Sequence, residues 1–181
     1  MLLAENLLQL IRGRRSVSPR KLSAPGPSDE QLSQMAAIIA AVPDHGRLSP
    51  ARLVHIADRQ ALADLFVDAL KELEPVADET ALARERERAG HAPCLLALIV
   101  RIDEANATAP PHEQWISAGA SLQNVLLFAE ALGFRTKILS GRKTTSKTLR
   151  SAFDLGPSEV LVGFIAVGSD LGGARAVGEE T

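Results

Sequence analysis

Two runs of this chain, residues 94–100 and 160–167, are continuously apolar and rich in branched side chains. A strand with one solvent-exposed face alternates apolar and polar residues, whereas a strand buried on both faces is apolar throughout. The two runs therefore predict central strands of a sheet that has helices on both faces. Any fold for this chain has to supply enough helical surface to cover them.

The intervening sequence supplies that helical surface. Apolar spacing and breaker residues predict helices over 2–12, 28–41, 59–73, 79–89, 113–132 and 144–153. Shorter strand patterns lie at 52–57 and 136–139. The predicted class is α+β, with four to five strands in a single domain over 1–181 and a tail that frays from Gly172.

Local signals mark two of the helix ends. Ser28 and Gln31 have the spacing of a capping box, which predicts a helix start at Ser28. Gly133 is predicted to occupy the C′ position that ends the long helix 113–132. This helix begins with Ala118, Gly119 and Ala120, small residues that allow another backbone or a flat ligand to pack closely.

Composition excludes several classes. The chain has 181 residues and a formal net charge of −2, which argues against a general nucleic-acid binder. Aromatic residues are only 3% and Tyr is absent, so no phenolic general acid is available. No run reaches the ~18 apolar residues of a membrane span. The start of the chain lacks a basic segment, and Cys94 is the single cysteine, so we expect a cytoplasmic protein.

Common catalytic motifs are missing. The chain has no G-x-G-x-x-G turn, no phosphate-binding P-loop and no G-x-S-x-G elbow. Its four histidines are scattered without the spacing of metal ligands, so no metal site is expected. Cys94 opens an apolar strand and is interpreted as a core residue.

Three short clusters are candidates for function. Arg14, Arg15 and Ser16 suit a phosphate, because guanidinium groups bind phosphate oxygens in pairs; alternatively, they are cations at a helix C-terminus. Residues 42–50 form a Pro/Gly loop around His45, or an ordinary exposed turn. Residues 133–142 form a strand that ends in Ser-Gly, where backbone could meet a ligand, or a plain strand-to-helix connection.

Together, these clusters resemble the nitroreductase family of FMN-dependent oxidoreductases, and more narrowly its short branch of minimal bacterial NAD(P)H nitroreductases. The resemblance covers residues 5–169. It is carried by short motifs in the family's order: Arg14-Arg15-Ser16, Pro43-Asp44-His45, Ser117-Ala118-Gly119-Ala120, Gln123-Asn124, Leu132-Gly133-Phe134, and Val162-Gly163-Phe164 with Gly168.

The resemblance implies an intertwined homodimer, built on a central mixed or antiparallel sheet, with two FMN sites between the subunits. Arg14 and Ser16 would bind the FMN phosphate and ribityl chain, with Arg15 beside them. One subunit would line the ring and phosphate with Ile138, Leu139, Ser140 and Gly141. The other subunit would bring Ala41, Pro43 and His45 to the flavin.

The implied reaction is carried by the cofactor, and no side chain acts as a nucleophile. NADH or NADPH would deliver a hydride to flavin N5 and leave. A nitroaromatic, a quinone or a similar small acceptor would then be reduced on the same face, in a ping-pong scheme. Neither nucleic acid nor a membrane is an expected partner.

Three positions depart from the family pattern. Ser18 stands where many members carry a cation facing flavin N1, and Arg20 is a candidate substitute. Ala51 and Ile138 stand where relatives place aromatic residues near the flavin. These departures favour an alternative hypothesis, a degenerate homodimer that binds flavin or another flat ligand without turnover. A purely structural dimer is a third hypothesis.

Overall fold

The structure is a computed structural model that describes residues 1–170, so the tail predicted to fray from Gly172 lies outside it. The described chain forms α-helices, strands and two short 3-10 helices at Pro19–Lys21 and Arg142–Thr145. The helices are α1 (Leu2–Gly13), α2 (Asp29–Ile38), α3 (Arg59–Leu73), α4 (Glu79–Gly90), α5 (Pro111–Ala131) and α6 (Lys147–Ala152). The strands are β1 (Leu22–Ser23), β2 (Ala51–His55), β3 (Cys94–Arg101), β4 (Arg135–Leu139) and β5 (Glu159–Asp170).

The five strands form one sheet in which every ladder is antiparallel. The order β1-β5-β3-β2 gives one path, and β4 also pairs with β5. Residues 164–167 of β5 pair with both β3 and β4, so these two strands lie on opposite edges of β5. The α+β class and the strand number are confirmed, and the sheet is antiparallel rather than mixed.

The sheet has a hydrophobic core on each face. The face covered by α3 and α6 contains Phe66 and Phe164, whose ring centroids lie 5.2 Å apart. The face covered by α2 and α5 contains Met35, Val125 and Ile165, which are fully buried. Phe164 and Ile165 serve opposite cores because neighbouring residues of a strand point to opposite faces. Residues 94–100 of β3 are all buried, as their apolar run predicts.

The predicted capping box is present at the start of α2. The Ser28 hydroxyl accepts from the Gln31 N–H at 3.3 Å, and the Gln31 side chain accepts from the Ser28 N–H at 2.8 Å. The helix ends at Ile38, earlier than the predicted residue 41. The carbonyls of Ile39 and Ala41 accept from side chains of α5, and these tertiary bonds replace helical ones.

Two further predictions differ from the structure. The helix predicted over 144–153 is divided, because Ser146 is extended and its hydroxyl caps α6 by accepting from the Leu149 N–H at 3.1 Å. Strand β1 has only two residues and was not predicted, since it forms by pairing with residues 169–170 of β5.

Gly133 ends α5 as predicted. It has φ of 86°, and its N–H donates to the Glu130 carbonyl at 3.0 Å. The N–H of Phe134 donates to the Ala129 carbonyl at 2.9 Å, which completes a Schellman motif. The chain therefore reverses directly from α5 into β4, and Arg135 returns beside Glu130.

Candidate functional site

The segment that follows α1 lies along the outer edge of β4. Ser16 forms an isolated parallel bridge with Thr136, and the Val17 N–H donates to the Thr136 carbonyl at 3.1 Å. The fold thus brings the first predicted cluster, Arg14–Ser16, next to the third, which ends in Ser140 and Gly141. These two clusters are far apart in sequence but adjacent in space.

The two arginines of the first cluster have different roles. Arg15 Nη1 donates to the Arg14 carbonyl at 3.0 Å and also to the Arg12 carbonyl, so it closes the C-terminus of α1. The Arg14 guanidinium is half-buried and makes no hydrogen bond within the described residues. Ser16 is exposed, and its hydroxyl is likewise uncommitted in residues 1–170. One guanidinium and one hydroxyl therefore remain as donors, a set that suits a phosphate.

The end of β4 presents mainly backbone on its outer side. Ile138 packs toward the α5 face of the sheet, and Leu139 packs toward the α3 face. Alternate residues of a strand direct their N–H and C=O to the same edge, so these groups of Ile138, like those of Thr136, face the outer edge of β4. Ser140 and Gly141 follow and are exposed. The Leu139 side chain points into the core, and by the same alternation its N–H and C=O are directed toward β5.

Gly163 allows the end of β4 to lie where it does. A Cβ on Gly163 would stand 2.6 Å from the Leu139 carbonyl oxygen and 3.3 Å from the Ser140 Cα. Both atoms are backbone, so a side chain at this position requires β4 to move. The close approach gives a physical reason for glycine in the Val162-Gly163-Phe164 motif.

The second predicted cluster is fixed to α5 instead. The Ser117 hydroxyl donates to the Pro43 carbonyl at 2.7 Å, and the Asn124 side chain donates to the Ala41 carbonyl at 2.9 Å. His45 Nδ1 lies 2.7 Å from a carboxylate oxygen of Glu113. Residues 41, 43 and 45 are exposed. The loop is therefore anchored along α5 with its outer surface open.

The polar residues of α5 that hold this loop were not predicted as functional. Ser117 and Ser121 are buried, and Ser121 donates to the Ile39 carbonyl at 2.7 Å. The sequence pattern that could have predicted this role is their spacing of four residues within an apolar helix, which places both hydroxyls on one side of the helix.

One protomer does not bring all three clusters together. The His45 loop lies beside Glu113, whereas Arg14 and Arg15 lie near enough to Glu130 to act on its charge. Glu113, the partner of His45, is ~25 Å from Glu130 along the axis of α5, and Asn124, the partner of Ala41, is ~9 Å from Glu130. The first and third clusters form one candidate half-site, and the second cluster forms another candidate half-site along residues 113–124 of the same helix.

Glu130 is buried among the cations of the first half-site. Its side chain is 8% exposed, and Oε1 accepts from Arg135 Nη1 at 2.8 Å. Burial raises the pKa of this carboxyl, while the charges of Arg135, Arg14 and Arg15 oppose that shift. Its second oxygen, Oε2, is buried with no hydrogen-bond partner among the described residues.

The structure also bears on the residues that depart from the family pattern. Ser18 and Arg20 are exposed, and burial, followed by the charge of Arg20, lowers the pKa of His91. Ala51 begins β2 and borders a cavity of about 250 Å³ that Leu48 and Arg101 also line.

Cys94 is a core residue, as predicted. It is 4% exposed, and burial raises the pKa of its thiol to about 11, against the smaller opposing effect of the Arg59 charge. A thiol with this pKa is protonated at neutral pH and a poor nucleophile. Within residues 1–170, no helix is long and apolar enough to cross a bilayer, and no group of three potential metal ligands occurs.

The solved structures to which this chain is similar include nitroreductase-like proteins. One from Bacillus cereus has a TM-score of 0.76 at 18% identity, covering 97% of this chain and 91% of that chain. A variant of the FMN and NADPH-dependent nitroreductase NfnB from Sphigopyxis sp. strain HMH has a TM-score of 0.69 at 20% identity, covering 90% of this chain and 87% of that chain.

Residues 11–169 match the Nitroreductase family, and the chain belongs to this family. Among curated relatives, a Haemophilus influenzae protein with the name "Putative NAD(P)H nitroreductase" is 29% identical over 166 residues. That alignment covers 91% of this chain and 88% of the relative.

A Gly163→Ala substitution tests the close approach of β4 and β5. The added methyl would overlap the Leu139 carbonyl, so we expect the free energy of unfolding to fall by about 1–3 kcal/mol in urea titrations. Gly90→Ala is the matched control, because its Cβ would meet nothing within 4 Å; since Gly90 belongs to α4 and Ala is favoured over Gly in a helix, no loss of stability is expected there. Equal effects of the two substitutions would contradict this account.

Proposed function

We propose that this protein is an FMN-dependent oxidoreductase that accepts hydride from NADH or NADPH and reduces a nitroaromatic, a quinone or a similar acceptor in a ping-pong scheme. Membership of the Nitroreductase family supports the reaction class. The observation that carries the proposal is the Arg14 guanidinium, which has no hydrogen-bond partner in residues 1–170 and lies two residues before the Ser16–Thr136 bridge to β4. We expect the protein to act in the cytoplasm.

The residues of the first half-site suit FMN. Arg14 and Ser16 would bind the phosphate and the ribityl chain, with Arg15 beside them. Ile138, Leu139, Ser140 and Gly141 would line the ring and phosphate on this subunit's side. When bound, FMN supplies the redox chemistry, and the chain binds and orients the reactants.

A second copy of the chain would complete each site. The partner subunit's Ala41, Pro43 and His45 would cover the flavin. Within one protomer these residues are bound to α5 at positions displaced along the helix from the end where Arg14 lies. Apolar surface is available for such contact: α1 has no buried residue, and Trp115 and Ile116 of α5 are 45% and 68% exposed. We therefore propose a homodimer with FMN sites at the interface.

No side chain of either half-site needs to act as a nucleophile. His45 is oriented by Glu113, and its other ring nitrogen is directed away from this contact. The tasks that remain for the chain are binding phosphate, holding the flavin plane and covering it from water. The alternative, a homodimer that binds flavin or another flat ligand without turnover, is favoured by the neutral Ser18 and by the missing aromatic side chains at Ala51 and Ile138.

Absorbance spectroscopy distinguishes these functions. We expect the purified protein to be yellow or to bind added FMN, and anaerobic NADH or NADPH to bleach the flavin band. Bound FMN that neither nucleotide bleaches would support the alternative without turnover. Failure to bind FMN at all would exclude the FMN-dependent oxidoreductase and leave only a homodimer that binds another flat ligand, or a purely structural dimer.

An Arg14→Ala substitution tests the position of the phosphate. Loss of a charge-assisted partner is expected to weaken FMN about 10- to 100-fold in fluorescence titrations. Arg12→Ala is the control, because Arg12 is a nearby exposed cation in the last turn of α1 to which no contact with FMN is assigned. We expect this substitution to leave the FMN affinity within about twofold. An unchanged FMN affinity of the Arg14→Ala variant would show that the phosphate does not bind at Arg14.

An Ile116→Glu substitution tests the dimer. A charge in a desolvated interface is costly, so light scattering should show the 19.3 kDa monomer in place of a dimer, with loss of FMN. Val76→Glu replaces a 95% exposed apolar residue on the α3–α4 connection and should preserve the dimer. A dimer that survives Ile116→Glu would show that this part of α5 lies outside the interface.

A further inference from the structure

Glu130 lies where a carboxylate would normally weaken the binding of an anion. Its Oε1 is held by Arg135, and the charges of Arg14 and Arg15 also act on it. The side chain is buried, so its charge is only weakly screened by solvent. An acidic group in this position, beside the proposed phosphate site, calls for a structural reason.

The hydrogen bonds around Glu130 are incomplete. Oε2 is buried without a partner in residues 1–170, and a buried acceptor without a donor costs free energy. Arg135 is bonded to the other oxygen, and Arg15 is bonded to two carbonyls of α1. Arg14 is the nearby cation whose guanidinium has all its donors uncommitted in this part of the chain.

We propose that Glu130 is a positioning residue that orients the Arg14 guanidinium for the FMN phosphate. A guanidinium has five N–H donors, enough to bind Glu130 Oε2 on one side and phosphate oxygens on the other. The Schellman turn at Gly133 fixes Arg135 beside Glu130, so the carboxylate is held in place before the cofactor arrives. This inference rests on the proposed function.

The direction in which one substitution changes the FMN affinity distinguishes a positioning role of Glu130 from simple repulsion of the phosphate. Glu130→Gln keeps the shape of the side chain and removes its charge. If Glu130 only repels phosphate, its loss tightens FMN binding. If Glu130 positions Arg14, its loss weakens FMN binding by about tenfold, the effect of one charge-assisted hydrogen bond.

The experiment measures the affinity of the apoprotein for FMN and for riboflavin by fluorescence quenching. Riboflavin lacks the phosphate, so a positioning role predicts that Glu130→Gln weakens FMN about tenfold and leaves riboflavin within about twofold. Glu104→Gln, an exposed acid without a hydrogen-bond partner in the described chain, is the matched control and should change neither affinity. Glu130→Asp withdraws the carboxylate by one methylene and should show a smaller loss confined to FMN; it decides the matter if Glu130→Gln does not fold.

Unchanged or tighter FMN binding by Glu130→Gln would overturn the inference, and so would an equal loss for both flavins. Failure of the unsubstituted protein to bind FMN would instead overturn the proposed function. The two failures are thus distinguishable in the same titrations.

Discussion

Strand β5 is hydrogen-bonded along both of its edges, and the rest of the structure depends on this double pairing. β3 on one edge continues the sheet to β2, and β4 on the other edge leads into the third predicted cluster. The alternation of Phe164 and Ile165 anchors a separate core on each face. Gly163 then lets β4 end in close contact with β5, so the core strand also determines where the candidate site begins.

Elements whose hydrogen bonds and burial are determined by residues close in sequence could be predicted, and elements determined by distant residues could not. Residues 94–100 were predictable as a buried strand, because an uninterrupted apolar run has one stable location in such a sheet. The Ser28 capping box and the Gly133 turn were predictable because their hydrogen bonds close within a few residues. The end of α2 and the two-residue β1 were not, since both depend on partners distant in the chain.

The candidate site divides in the same way. The arginine cluster was visible in the sequence, but only the fold shows that Arg15 closes its own helix while Arg14 remains uncommitted. Glu130 carried no signal, because a single acid on a helix is ordinarily a solvated residue. Its importance arises from the reversal at Gly133, which places Arg135 beside it, and from the packing of the Arg14 segment against β4.

Helix α5 carries one candidate half-site along residues 113–124 and the other at its C-terminal end, so in the proposed two-fold assembly it would contribute to both flavin sites. Lengthening the helix by one residue between Asn124 and Glu130 would rotate one end relative to the other by about 100°. In the proposed dimer such a change would misalign both flavin sites together, because each site would take one part of α5 from each subunit. The length of this helix is therefore a constraint on the whole assembly, and loops elsewhere are freer to vary.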